Sequence, residues 1–126
     1  MAAIRSTGNA STELELVRQL RWHAIRGWRR HQPLPGKPDF AWTRQRVAAF
    51  VDGCFWHGCP RCYTRPRSNT QFWRAKLRRN KRRDREVSAI LTAAGWRVVR
   101  IWECQVKWTR SLQRIERALA RGDRCD

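Results

Sequence analysis

Four of the five cysteines in this chain have a spacing that is typical of a zinc site. Three of them lie in one short segment, as Cys54-x₄-Cys59-x₂-Cys62, and Cys104 follows much later in the chain. Four thiolates at the corners of a tetrahedron form a closed structural site, with no open position for a substrate. We therefore predict a structural zinc site made by Cys54, Cys59, Cys62 and Cys104; the alternative is a set of buried, unreactive thiols.

Hydrolytic chemistry could be carried by Asp39, Asp52 and His57. Asp39 begins one predicted strand directly after Pro38, and Asp52 ends the next, so adjacent strands would bring the two carboxylates close together. Carboxylates, water and substrate phosphate are the usual ligands of Mg²⁺, and a histidine can take a proton from an attacking water. Simpler explanations remain open: Asp39 as a turn residue, and His57 as a spare zinc ligand or a packing partner of Trp56.

The composition points to nucleic acid as the partner. Among 126 residues, 28 are lysine or arginine and 10 are acidic, which gives a net charge of +18 spread along the chain. Such a charge opposes a compact fold unless a polyanion lies near. The eight tryptophans are more than a small core can bury, and exposed ones could stack on bases. An anionic membrane surface and a basic structural role remain as alternatives.

Length and hydropathy predict a single domain over residues 1–126, without a membrane-spanning segment. A hydrophobic fraction of 41% suits a folded protein, and the first residues lack the apolar core of a signal peptide. We expect a monomeric, cytoplasmic protein associated with the nucleoid.

Hydrophobic periodicity predicts the element order α-β-β-β-α-β-α, a mixed central sheet flanked by helices. A capping box at Ser11-Thr12 and Glu15 begins the first helix, which is expected to end at Arg26-Gly27. The strands are predicted at 28–32, 39–43, 46–52 and 96–102, and the later helices at 70–94 and 111–121. A cysteine-rich loop is expected over 53–69.

The long helix after this loop is expected to be capped by Asn69 or Thr70 and stopped by Gly95. Its middle is polar, which suggests that this part faces a site rather than the core. The inward stripe is predicted to consist of Trp73, Leu77, Asn80, Asp84, Val87, Leu91 and Ala94.

Several strings of residues are distinctive, namely PGKPDF at 35–40, FVDGCFWHGCP at 50–60, GWRV at 95–98 and WEC at 102–104. Between them stand Phe72-Trp73, Lys76, Asn80 and Arg83-Asp84. Together they resemble the very short patch repair (Vsr) endonucleases, and the likeness extends over roughly 1–107. The resemblance implies a restriction-endonuclease-like fold of the PD-(D/E)XK type. It also implies an Mg²⁺-dependent nick in double-stranded DNA, 5′ of the thymine in T:G mismatches that arise from deamination of 5-methylcytosine.

The same resemblance assigns catalytic roles. Asp39 would bind Mg²⁺, Val51 would lend its backbone carbonyl, His57 would activate water and Glu13 would assist. Asp52 stands where some relatives carry histidine, so it could be a second metal ligand or could orient the water.

It also assigns the contacts to DNA. Phe55, Trp56 and Trp73 would form an aromatic wedge beside the mismatch, and Met1 would help from the other groove. Unstacking costs least where pairing is already poor, as at a wobble pair. Lys76 and Asn80, one helical turn apart, are the candidates for base readout, although a solvated helix face explains them as well.

Two other functions remain open at this point. One is a zinc-containing DNA-binding protein without catalysis, and the other is a restriction-type nuclease that acts on matched DNA. The N-terminal arm is expected to be short, which would weaken the grip on DNA. Mismatch-repair factors are a further class of candidate partner, for which no residue pattern here is diagnostic.

Overall fold

A computed structural model describes residues 10–53 and 67–124. Within these ranges the chain forms a four-stranded mixed sheet and three helices, so the predicted order of elements is confirmed. The helices are α1 (Ala10–Trp22), α2 (Thr70–Ala93) and α3 (Thr109–Arg124), with a 3₁₀ turn at Glu103–Gln105. The strands are β1 (Arg29–Arg30), β2 (Phe40–Trp42), β3 (Val47–Asp52) and β4 (Arg97–Trp102). In this described part, no helix is long and apolar enough to cross a bilayer.

The strands follow one another across the sheet in the order β1-β2-β3-β4. The first two pairs are antiparallel, and β3 pairs with β4 in parallel, with Asp52 opposite Trp102. The chain crosses from β3 to β4 through α2. As a result, three strand ends lie side by side along one edge of the sheet, the edge at which strands begin and end. They are the carboxyl ends of β3 and β4 and the beginning of antiparallel β2.

Both faces of the sheet are covered. On β3, Val47, Ala49 and Val51 belong to the larger core, which also contains the inward residues of α1 and α3. The alternating residues Ala48 and Phe50 belong to a smaller core with Leu91 of α2. Every residue of β3 is buried, as expected for a central strand covered on both faces.

Helix α1 ends at Trp22, so the predicted end at Arg26-Gly27 was wrong. Ala24 adopts a left-handed backbone with φ 55, and the N–H of Ile25 donates to the carbonyl of Leu20 at 2.9 Å. This is the hydrogen-bonding pattern of a helix terminus that usually carries glycine at the left-handed position. An alanine there gives no stop signal in the sequence.

The first strand is shorter than predicted, only Arg29–Arg30. Trp28 packs edge-to-face on Phe40, with ring centroids 5.5 Å apart, and His31 leaves the strand with φ 51. The other strand ends lie within one residue of their predicted positions, and α3 begins at Thr109, two residues early.

Asn69 is the N-cap of α2, as predicted, but it has φ 53 and makes no side-chain cap hydrogen bond. The predicted inward stripe was wrong at its last position. Ala94 is exposed and lies just beyond the helix, where Gly95 takes φ 90. Within the predicted stripe only Leu91 is buried, while the five residues before it are half-buried.

Candidate active site

Asp39 lies at the shared sheet edge, directly before β2. Its side chain is 4% exposed, and the N–H of Val51 on β3 donates to its Oδ2 at 2.7 Å. Gly36, with φ 76, allows the preceding turn to approach α2, because a Cβ at this position would collide with Val87. The turn and the β2–β3 pairing therefore hold the carboxylate in one orientation.

Glu13 and His31 come to the same place from two other elements. Glu13 is buried in the first turn of α1, and His31 follows β1. Ligand atoms of Glu13, His31 and Asp39 all lie within 4.8 Å of one another. Glu13 Oε1 lies 2.9 Å from Arg30 Nη2 and 3.3 Å from His31 Nε2. The predicted pair Glu13 and Asp39 is therefore brought together, in a cluster that could hold a metal ion.

His31 was not among the site residues predicted from the sequence. The β1–β2 register pairs Arg30 with Phe40, which sets His31 opposite Asp39, and its N–H donates to the Asp39 carbonyl at 3.4 Å. The two residues bracket the proline-rich turn at 32–38. If that turn had been interpreted as the turn of a hairpin, the pair would have been found.

Burial and two negatively charged neighbours disfavour the ionisation of Asp39. Burial raises the pKa of Asp39 from its ordinary value of 3.8 to about 7. The hydrogen bond from Val51 lowers this pKa, and the positive charge of Arg30 lowers it by less. The negative charges of Glu13 and Asp52 raise it further. Arg30 compensates only part of the charge of two buried carboxylates so close together, and a divalent cation could supply the rest.

Asp52 lines the same cleft as Asp39, but its carboxylate pairs with the side chain of Arg100. Arg100 Nη1 donates to Asp52 Oδ1 at 2.9 Å, and the guanidinium lies 4.2 Å from the centre of the Phe50 ring. The same arginine donates to the Asp84 carbonyl and to Ser88 Oγ. Asp52 is not among the described ligand atoms that cluster with Asp39.

Helix α2 forms one wall of this cleft through Asn80, Arg83 and Asp84. Among the predicted DNA contacts on α2, only Asn80 lines it. Lys76 and Trp73 lie about one and two turns nearer the helix start. Trp73 is half-buried and packs edge-to-face on exposed Phe72, with centroids 5.2 Å apart.

Only one of the four predicted zinc ligands is described. Cys104 is half-buried in the 3₁₀ turn that follows β4, at the edge where β3 also ends. The remaining predicted site residues outside the described ranges are Met1, Cys54, Phe55, Trp56, His57, Cys59 and Cys62.

Comparison with known proteins identifies the family. Residues 1–64, which include Glu13, His31, Asp39 and Val51, match the family model described as DNA mismatch endonuclease Vsr. This chain belongs to the Vsr family. The resemblance inferred from the motifs is therefore confirmed.

The relatives include nicking enzymes and a mismatch endonuclease. Type II nicking enzyme V.NaeI of Lentzea aerocolonigenes is 55% identical over 53% of this chain and 40% of its own length. DNA mismatch endonuclease Vsr of Escherichia coli K12 is 42% identical over 59% of this chain and 48% of its own. Type II nicking enzyme V.HpaIIP of Haemophilus parainfluenzae is 33% identical over 81% of this chain and 74% of its own. Thus the chain spans about half the length of several of these Vsr relatives.

Proposed function

We propose that this chain is a divalent-metal-dependent DNA endonuclease that nicks one strand of a duplex 5′ of the thymine in a T:G mismatch. The main observation that supports this proposal is the cluster of Glu13, His31 and Asp39 at the sheet edge, in the segment that matches the Vsr model. A PD-(D/E)XK-type fold is part of the proposal, as is action by residues 1–126 as one monomeric domain.

The two carboxylates of the cluster fit Mg²⁺. Asp39 and Glu13 offer the hard oxygen ligands that Mg²⁺ prefers, and the carbonyl of Val51 is proposed as a further ligand. When bound, Mg²⁺ would polarise the scissile phosphate and stabilise the charge that develops on it. The raised pKa of Asp39 supports a cation here, since the ionised carboxylate gains most from a positive neighbour.

The chain's own residues would orient the reaction. The Val51 N–H fixes Asp39, and Arg30 holds Glu13, so neither carboxylate needs to reorganise when a phosphate arrives. Lys37 and Arg83 line the cleft and would bind the phosphates on either side of the scissile bond. His57 is proposed to accept the proton of the attacking water, with Asp52 as a water-orienting group.

Mismatch recognition is proposed to depend on aromatic insertion. Phe55, Trp56 and Trp73 would enter the stack beside the weak pair, with Met1 in the opposite groove. Exposed Phe72 beside Trp73 supports an apolar surface at the start of α2. Lys76 and Asn80 are proposed to contact base edges.

Zinc is proposed to hold the loop that carries part of this machinery. Cys104 would be joined by Cys54, Cys59 and Cys62, and the site would be structural because four thiolates leave no open position. The position of Cys104 at the end of β4 suits an anchor between a loop and the sheet.

The deciding experiment compares two duplexes that differ only in a T:G or a T:A pair, with and without Mg²⁺. We expect one nick, only in the T:G duplex and only with Mg²⁺. Asp39→Asn, a change of nearly equal volume, should abolish the nick and leave DNA binding intact. No cutting of either duplex would support the non-catalytic alternative.

A second candidate is a nicking enzyme for matched DNA of a defined sequence. Relatives that are named Type II nicking enzymes favour it. Equal nicking of the T:G and T:A duplexes would establish this candidate and refute mismatch recognition. A panel with varied flanking bases then separates sequence readout from mismatch readout.

A further inference from the structure

His31 has a backbone conformation that few residues other than glycine adopt. Its φ of 51 lies in the left-handed region, where a side chain costs free energy, although histidine is among the more tolerant residues. Strained backbone of this kind concentrates at ligand sites, where the surrounding structure holds it. In this conformation the His31 N–H donates to the Asp39 carbonyl at 3.4 Å, and the ring Nε2 lies 3.3 Å from Glu13 Oε1.

The spacing of the side chains suits a single ion. Two ligands on opposite sides of a cation with bonds of about 2.1 Å lie about 4.2 Å apart, and adjacent ligands lie closer. Ligand atoms of Glu13, His31 and Asp39 are all within 4.8 Å of one another, so small side-chain movements would complete the coordination. Arg30 already holds Glu13 at 2.9 Å, which keeps that carboxylate in place beforehand.

We propose that His31 is a third protein ligand of the cation bound by Glu13 and Asp39, and that its imidazole makes the site favour Mn²⁺ over Mg²⁺. The inference rests on the metal site of the proposed function. Mg²⁺ prefers oxygen ligands and regular octahedral geometry, whereas first-row transition ions accept imidazole nitrogen. A site with one nitrogen and two carboxylate donors therefore discriminates between the two ions.

The informative variant is His31→Gly. Glycine takes φ values near 50° without strain, so this change removes the imidazole and leaves the backbone conformation accessible. His23→Ala is the matched control, since His23 is an exposed histidine in the turn after α1. Thermal unfolding of both variants without metal establishes that each is folded.

Binding is measured by titrating Mn²⁺ and following the free-ion electron paramagnetic resonance signal, with Mg²⁺ as competitor. We expect the wild type to bind Mn²⁺ more tightly than Mg²⁺. His31→Gly should lose about tenfold or more in Mn²⁺ affinity, with a much smaller loss for Mg²⁺. His23→Ala should bind like the wild type. Equal losses for both ions, or no loss of Mn²⁺ affinity, would overturn the inference.

Nitrogen coupling to bound Mn²⁺ gives a readout that does not depend on activity. It should be present in the wild type and in His57→Ala, and absent in His31→Gly. Coupling without nicking of any duplex would refute the proposed function and leave this inference standing. Nicking of the T:G duplex by a protein whose bound Mn²⁺ lacks coupling to His31 would refute this inference alone.

Discussion

Asp39 and Asp52 lie at the same sheet edge but in opposite electrostatic surroundings. Asp52 forms an ion pair with Arg100 at 2.9 Å. Asp39 accepts a hydrogen bond from the N–H of Val51 and has Glu13 and Asp52 as negatively charged neighbours. Asp39 is therefore the carboxylate for which an external cation would bring the larger gain.

This difference predicts how stability depends on pH. Because burial raises the pKa of Asp39 to about 7, the folded protein binds a proton that the unfolded chain has released above pH 3.8. Stability from this group is thus fully present below pH 3.8 and is lost as pH rises toward 7, by roughly 4 kcal/mol. Asp39→Asn does not titrate and should be more stable than the wild type at pH 8.

Urea unfolding between pH 4 and 8 in Mg²⁺-free buffer measures this loss. The difference in unfolding free energy between Asp39→Asn and the wild type should grow as pH rises to 7 and then stay constant. Added Mg²⁺ should reduce this difference at pH 8 by stabilising only the wild type. Parallel pH profiles would contradict the raised pKa.

At the scale of elements, the apolar run in β3 and the stop at Gly95 made those elements predictable from the sequence. The parallel pairing of β3 with β4 follows from the intervening helix. The end of α1 was not predictable because Ala24 takes a conformation that usually calls for glycine. His31 was missed for a different reason, since its partners depend on strand register and on packing of α1.

A substitution of Cys104 tests whether the sheet edge anchors the predicted cysteine-rich loop. If the proposed quartet holds zinc, Cys104→Ser should release it and lower nicking, because the predicted loop that carries His57 would lose its tie to β4. Cys125→Ser is the matched control, a cysteine outside the proposed quartet. Zinc is measured by metal analysis of the purified protein. A zinc-free, soluble Cys104→Ser protein with normal nicking would contradict the coupling.

Trp73 tests the aromatic wedge. Stacking on a base contributes about 1–3 kcal/mol, so Trp73→Ala should slow nicking of the T:G duplex by about 5- to 150-fold. Trp22→Ala is the control, because Trp22 is 84% exposed at the end of α1. Single-turnover rates at saturating protein separate this effect from binding. Similar rates for both variants would argue that Trp73 is only a packing residue.

At the scale of the whole molecule, part of the net charge of +18 lines a groove in which DNA could lie. A second groove, between α2 and α3 along β4, adjoins the active-site cleft at Arg100. Its arginines are Arg97, Arg100, Arg114, Arg117 and Arg121. The Arg114 guanidinium donates to the carbonyl of Arg100, so the outer side of β4 is partly blocked against pairing with another strand. The groove therefore suits phosphates better than a peptide.

Salt dependence of DNA binding measures how many phosphates the protein contacts. Each phosphate neutralised by a cation contributes about −0.9 to the slope of log affinity against log salt. Replacing Arg117 and Arg121 together by glutamine should make the slope shallower by up to about 2. Arg18→Gln on α1, where Arg18 pairs with Glu15, should leave it unchanged. An unaltered slope in the double variant would place the DNA elsewhere.

Helix α2 is anchored to the sheet mainly at its end, through Leu91, while its earlier turns carry eight lysine and arginine residues between 74 and 85. Like charges three and four positions apart repel along a helix. The free energy of local opening should therefore fall from the last turn toward the first, and amide hydrogen exchange should be fastest near Thr70. Phosphates laid along the helix would remove that repulsion. DNA binding and the final ordering of α2 would then be one thermodynamic event, with part of the binding energy used to complete the helix.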